Sequence, residues 1–146
     1  AELARISASI GLERSAIVDA AWADNGPGWV ALLLESAAAV LAVRPGAVEV
    51  PLGLFGLHPA GGPAALEVRA LYPQNGVVIE DPVTGSLNAS GAAWLIATGR
   101  LRAPYLARQG TAIGRAGRIE IDRDAEGRVW TGGRSITLVR GTLSFD

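Results

Sequence analysis

The stretch of this chain best equipped for chemistry is Glu80-Asp81-Pro82-Val83-Thr84-Gly85-Ser86-Leu87-Asn88-Ala89-Ser90. Pro82 disfavours a helical backbone at the residue before it, so Asp81 is expected just outside the helix that follows. Thr84 and Ser86 can each cap that helix, and Gly85, lacking a Cβ, lets another group approach the backbone closely. Free amides around Gly85 and Ser86, at the positive end of a helix, suit an anionic oxygen such as a substrate carboxylate. An aspartate partly removed from water beside them suits a general acid/base. The same string also reads as ordinary structural punctuation, an Asp-Pro turn entering a capped helix.

Other polar residues read more plainly. His58 is the only histidine. It lies in a Gly/Pro loop with no acidic or nucleophilic neighbour close in sequence, and is expected on the surface. Arg69 alternates with Val68 and Ala70, and reads first as half of a structural ion pair and second as a clamp for a carboxylate. Glu80 adjoins Asp81, but neighbours in an extended segment point to opposite sides, so it is read as structural or solvent-facing. Of Trp22, Trp29, Trp94 and Trp130, all read as large anchors, Trp94 on the main helix is expected in the core. Cysteine is absent, which removes disulfides, thiolate nucleophiles and cysteine metal sites and fits a reducing, cytoplasmic setting. No histidine cluster and no phosphate-cradling glycine loop after a strand is found, so no metal and no nucleotide cofactor is expected.

These residues must be positioned by a small folded unit. The chain has 146 residues, 49% of them hydrophobic and 18% charged. That is enough for one ordinary core, and too apolar for disorder. Thirteen basic residues oppose fourteen acidic ones. With no basic stripe, nucleic acid is a poor fit as a partner. The uncharged runs Val50 to Leu66 and Pro82 to Gly99 are broken by prolines, glycines and hydroxyls, unlike a membrane helix. The opening Ala1-Glu2-Leu3 does not read as a signal peptide. The absence of methionine points to a start lying elsewhere or to trimming, although initiator removal accounts for the first position equally well.

Along the chain, Glu2 to Ile10 reads as a short helix stopped by Gly11. Ala16 to Ala23 and Trp29 to Leu34 read as the strands of a hairpin around Asp24-Asn25-Gly26-Pro27-Gly28. Ser36 caps a helix running through Val43. Val48 to Leu57, Leu66 to Tyr72 and Val77 to Ile79 read as strands, with Pro73-Gln74-Asn75-Gly76 as a turn. Ser86 to Thr98 is the best helix. It carries no charge and many small residues, so it is expected to be buried on most sides. Short strands are expected at Ile119-Ile121, Val129-Thr131, Ser135-Val139 and Thr142-Phe145. The sum is an α+β fold, a curved and largely antiparallel sheet wrapped around one buried helix, with residues 1–146 forming a single domain.

The order EDPVTGS, then LNAS, then a small-residue helix, resembles the signature of the PhzF family of isomerases, which have the diaminopimelate epimerase-like fold. The resemblance extends over nearly the whole chain. It takes in Asn25-Gly26-Pro27-Gly28-Trp29, Val68-Arg69, Tyr72-Pro73, Gln109-Gly110, Gly114-Arg115-Ala116-Gly117, Gly132-Gly133 and Gly141. Members have two similar domains, each with a central helix inside a curved sheet, and substrate lies in the cleft between them. The resemblance implies that this chain corresponds to the C-terminal domain. A glutamate on the N-terminal domain would move a proton, with Asp81 as the catalytic aspartate across the cleft. Thr84, Gly85 and Ser86 would bind the substrate's acidic group, and Gln109, Gly110 and Arg115 would help line the cleft. It implies no cofactor, a small carboxylate-bearing metabolite as substrate, and an N-terminal domain of the same family or a homodimer as partner. LNAS departs from the alanine-rich version of the phenazine enzymes, so the resemblance carries no particular substrate. The other expectations are a stand-alone anion-binding module and an inactive domain that self-associates.

Overall fold

The computed structural model describes residues 2–145. A first helix, α1 (Glu2–Ser9), leads through a 3-10 turn into the antiparallel hairpin β1 (Ile17–Asp24) and β2 (Gly28–Leu34). Helix α2 (Ala37–Ala42) follows, capped by the Ser36 hydroxyl, which accepts from the Ala39 amide at 3.1 Å. Strands β3 (Leu52–Leu57), β4 (Leu66–Gln74) and β5 (Val77–Asp81) then lead into α3 (Gly85–Ala97). The chain closes with β6 (Tyr105–Gln109), β7 (Gly117–Arg123) and β8 (Val129–Gly132).

All the strands belong to one sheet, in the order β1-β2-β3-β4-β6-β7-β8, with β5 also paired to β4. Only β2 with β3 and β4 with β6 run parallel. Helix α3 touches β1 and β2 near one edge of the sheet and β7 and β8 near the other. The sheet therefore curls around α3, as the sequence predicts.

Strand alternation separates two cores. Phe55, Val68 and Ala70 face α3, in one core with Trp29 and the helix's own Leu87 and Leu95. Leu52, Leu54 and Leu71 face the other way, onto Ile6 and Ile10 at α1 and Val40 of α2. Close approach of α3 depends on missing side chains. A Cβ at Gly91 would collide with the Phe55 ring, and one at Gly53 with Leu87. Trp94 packs its ring edge-on to Phe55, with centroids 6.1 Å apart.

Five expectations need correction. The strand read from Val48 begins only at Leu52, because Pro51 has no amide hydrogen to give a ladder. Strand β4 runs on to Gln74 and the turn is only Asn75-Gly76, both at positive φ, as a two-residue hairpin turn of this hand requires. Ser135-Val139 and Thr142-Phe145 form no strand. His58 is not a free surface residue, since its Nε2 lies 2.9 Å from the fully buried Glu67. Trp22 and Trp130, read as anchors, are largely exposed. Strand β6 was not anticipated at all.

Candidate active site

Asp81 ends β5, where it pairs with Ala70 of β4, and α3 begins only four residues later at Gly85. The Pro82-Val83 turn between them is exposed, whereas Thr84 is buried. Thr84 is the N-cap residue of α3 by its extended backbone, yet its hydroxyl does not cap the helix. It donates instead to Asp81 Oδ2 at 2.6 Å.

The direction of that bond follows from Gln109. The backbone amide of Thr84 can only donate, and it donates to Gln109 Oε1 at 3.1 Å. The other end of the Gln109 amide is therefore its NH₂ group. Gln109 Nε2 donates to Thr84 Oγ1 and to the Asp81 carbonyl, both at 2.8 Å. Thr84 Oγ1 thus accepts from Gln109 and spends its single hydrogen on Asp81. Asn88, one turn into α3, donates to Gln109 Oε1 at 2.7 Å and to the Thr84 carbonyl at 2.8 Å. The side chains of Thr84, Asn88 and Gln109 form one connected and satisfied network behind a single carboxylate oxygen.

In front of this network the helix end is open. The amides of Gly85, Ser86 and Leu87 have no backbone or side-chain acceptor among the described residues, as expected of a first helical turn. A Cβ at Gly85 would meet nothing within 4 Å. Ser86 is half-buried, and its Oγ accepts from Trp29 Nε1 at 3.3 Å, tying the β1–β2 hairpin to the start of α3. Asp81 Oδ1 makes no hydrogen bond among the described residues. A free carboxylate oxygen and a row of free amides therefore share one helix end, the pairing needed to hold an anion beside an acid/base.

The remaining candidates separate clearly. Gln109, expected to line a cleft, is fully buried, so its place is behind Asp81 and Thr84. Gly110 is buried too, at φ +83, where a Cβ would come 2.8 Å from both the Pro82 carbonyl and Arg115 Cβ. It shapes the wall under the Pro82 turn. Arg115 is exposed beside that turn, and its backbone amide donates to the Gly110 carbonyl at 2.8 Å.

Arg69 belongs to another place. It makes a two-pronged bond to Glu80, at 3.1 and 2.7 Å, and its other nitrogen donates to the Val40 and Val43 carbonyls at the end of α2. The depression that Arg69 and Glu80 border holds about 480 Å³ and includes none of Asp81, Thr84, Gly85 or Ser86. Asn88 and Trp29 were missed as members of the site. The available signal was a carboxamide in an otherwise uncharged, small-residue helix, since a buried carboxamide needs partners.

The fold has solved counterparts. A phenazine biosynthesis protein of the PhzF family from Bacillus anthracis superposes with a TM-score of 0.68 at 17% identity, over 94% of this chain and 55% of that one. A predicted epimerase from Pseudomonas aeruginosa superposes with a TM-score of 0.63 at 20% identity, over 94% of this chain and 52% of that one. The chain thus spans about half the length of these structures. No curated protein matches it. The family model described as phenazine biosynthesis-like protein, PhzC-PhzF, matches residues 1–141, and the chain belongs to that family.

Proposed function

We propose that this chain is one half, the C-terminal domain, of a two-domain isomerase or epimerase that moves a proton on a small carboxylate-bearing metabolite. The observation that carries the reading is the single-file arrangement at the start of α3. Gln109 orients Thr84, Thr84 orients Asp81, and the open amides of Gly85, Ser86 and Leu87 stand alongside. The substrate carboxylate would sit on those amides, where the helix end stabilises negative charge. Asp81 would give or take a proton through Oδ1, while the Thr84 hydroxyl fixes the rotation of the carboxylate through Oδ2. Such a reaction breaks one C–H bond and makes another, with no net oxidation. It needs a second acid/base on the opposite side of the substrate. None of the described acidic side chains takes part in the Asp81 network, and Glu80 is held by Arg69. The second group is assigned to a glutamate on a companion domain, in keeping with the double length of the solved structures.

The anion site can be tested on the chain alone. Acetate and lactate are titrated against ¹⁵N-labelled protein, with chloride at matched ionic strength as control. Saturable shifts confined to the Gly85, Ser86 and Leu87 amides are expected. Shifts spread over the surface, or equal shifts with chloride, would contradict it. Carboxylate binding without proton exchange in the complete assembly would leave an anion-binding module.

A further inference from the structure

Asp81 belongs to a row of residues that crosses the sheet. The strand pairings set Ala31, Gly53, Ala70 and Asp81 side by side on β2, β3, β4 and β5. Residues opposite one another share a face, and this row lies on the α3 side with Phe55 and Val68. The next row on that face holds Trp29, Pro51, Tyr72 and Ile79. Tyr72 pairs with Ile79, the Val30 amide donates to the Pro51 carbonyl at 2.9 Å, and Ala23 of β1 continues the row by pairing with Trp29.

Helix α3 begins at the level of this second row. Gly91 packs on Phe55 and Leu87 on Gly53, so each turn back along the helix moves one row toward Trp29. In the first turn, Ser86 Oγ accepts from Trp29 Nε1 at 3.3 Å. The open amides of Gly85 and Ser86 and the carboxylate of Asp81 therefore border the row that contains Tyr72. Diagonal neighbours on an antiparallel pair lie about 7 Å apart, within reach of an aromatic ring, and Tyr72 is the diagonal neighbour of Asp81. From β1 to β5 the row carries no charge: Ala23, Trp29, Pro51, Tyr72 and Ile79. Trp29 is buried, whereas Pro51, Tyr72 and Ile79 keep part of their surface open. Arg69 and Glu80, the nearest charges in sequence, lie on the opposite face and hold each other.

We infer that this row is the surface on which the site selects its substrate, with Tyr72 as the determining residue. It receives an uncharged, apolar group carried close to the substrate's carboxylate, in the way that ligand sites surround a few polar contacts with apolar walls. The inference rests on the reading above, in which the carboxylate lies on the Gly85, Ser86 and Leu87 amides, and it adds what the rest of the molecule must be. A second carboxylate or an ammonium group directed at Tyr72 and Ile79 would lose its water and gain no partner on this half. An alkyl group there gains apolar contact instead.

The test titrates ¹⁵N-labelled chain with acetate, 4-methylpentanoate and succinate at matched ionic strength, and reads the dissociation constants from the Gly85, Ser86 and Leu87 amides. The expected result is that 4-methylpentanoate binds about tenfold or more tightly than acetate, with added shifts at Tyr72 and Ile79, and that succinate gains nothing over acetate. Tyr72→Ala should bring the ratio of 4-methylpentanoate to acetate affinity close to one, and Tyr72→Phe should keep it. Ile79→Ser, which should lower the same ratio, serves if Tyr72→Ala does not fold. Equal binding of acetate and 4-methylpentanoate at the amides would overturn this inference and leave the anion site standing. Tighter binding of succinate than of 4-methylpentanoate would overturn it in the same way. A wild-type ratio in folded Tyr72→Ala would show that the ring only packs the fold, against the proposal. If no carboxylate shifts the Gly85, Ser86 and Leu87 amides, the reading beneath it fails and this inference falls with it.

Discussion

The Thr84 hydroxyl donates to Asp81 Oδ2 at 2.6 Å, and because Gln109 Nε2 already donates to that hydroxyl at 2.8 Å, its one hydrogen has no other use. The acid/base candidate of this chain is therefore held by a relay that begins in the core, at the fully buried Gln109 on β6. A residue that reads from sequence as a cleft contact acts instead by positioning.

Gln109→Leu should be expensive for that reason. It leaves the Thr84 amide and the Asn88 carboxamide without their shared acceptor, and an orphaned buried polar group costs about 1–3 kcal/mol. The expected loss is about 3 kcal/mol in urea denaturation. A loss near zero would show that water or a neighbour replaces Gln109.

Thr84→Val and Thr84→Ser separate orientation from packing. The valine keeps the shape and loses the donor to Asp81, while the serine keeps the donor. In the complete two-half enzyme, Thr84→Val should lower turnover about tenfold or more, within the range a positioned acid/base contributes. Thr84→Ser should restore most of it, with substrate KM nearly unchanged in both. Equal activity of the two variants would remove the hydroxyl from the account.

The buried carboxylate of Glu67 predicts a stability effect far from the site. Its Oε2 contacts His58 Nε2 at 2.9 Å, and its Oε1 is buried with no partner among the described residues. His58→Ala leaves that carboxylate alone in the sheet and should cost about 3 kcal/mol, as breaking a buried pair does. Glu67→Gln with His58→Ala should recover much of it. Thermal or urea melts of the two variants check this, and an unchanged His58→Ala would contradict it.

Acid should weaken the β7–β8 hairpin through Asp124. The Trp130 indole, followed by Arg128, donates to Asp124 and holds its carboxyl below the usual range. A depressed folded-state value gives stability that is present above the unfolded carboxylate's range and is lost as pH falls through the folded one. The melting temperatures of wild type and Asp124→Asn should therefore differ at neutral pH and converge in acid, below the ordinary carboxylate range. A difference independent of pH would contradict this.

How much was legible depended on whether a signal was local. The β1–β2 hairpin was readable because Asn25-Gly26-Pro27-Gly28 is turn chemistry in one place, and α2 because Ser36 is a good cap. Helix α3 was readable from its small, uncharged residues, and the curl of the sheet follows from having to cover it. Strand β6 was not, because Tyr105-Leu106-Ala107-Arg108-Gln109 has weak alternation and gains strand character from pairing with both β4 and β7. The His58–Glu67 contact spans the β3–β4 connection, so scanning the neighbours of His58 could not find it. At the site, the order of Asp81, Thr84 and Gly85 announced a carboxylate just outside an open helix end. The relay behind it needed Gln109 to arrive from β6, which only the three-dimensional fold provides. Ser135-Val139 and Thr142-Phe145 have strand patterns but no pairing partner among the described residues, and pattern alone does not make a strand.

The most direct test of the proton-transfer account is wash-in of solvent deuterium. Wild-type and Asp81→Asn forms of the complete two-half assembly are incubated in D₂O with a panel of small chiral and unsaturated carboxylic acids, and the carbon-bound deuterium is read by mass spectrometry. Asparagine can still accept from Thr84, so both forms should fold with stabilities within about 1 kcal/mol of each other. The account predicts one deuterium entering a single carbon position with wild type, and a loss of about a hundredfold or more with Asp81→Asn. Equal incorporation by both forms, or none by wild type across the panel, would contradict it.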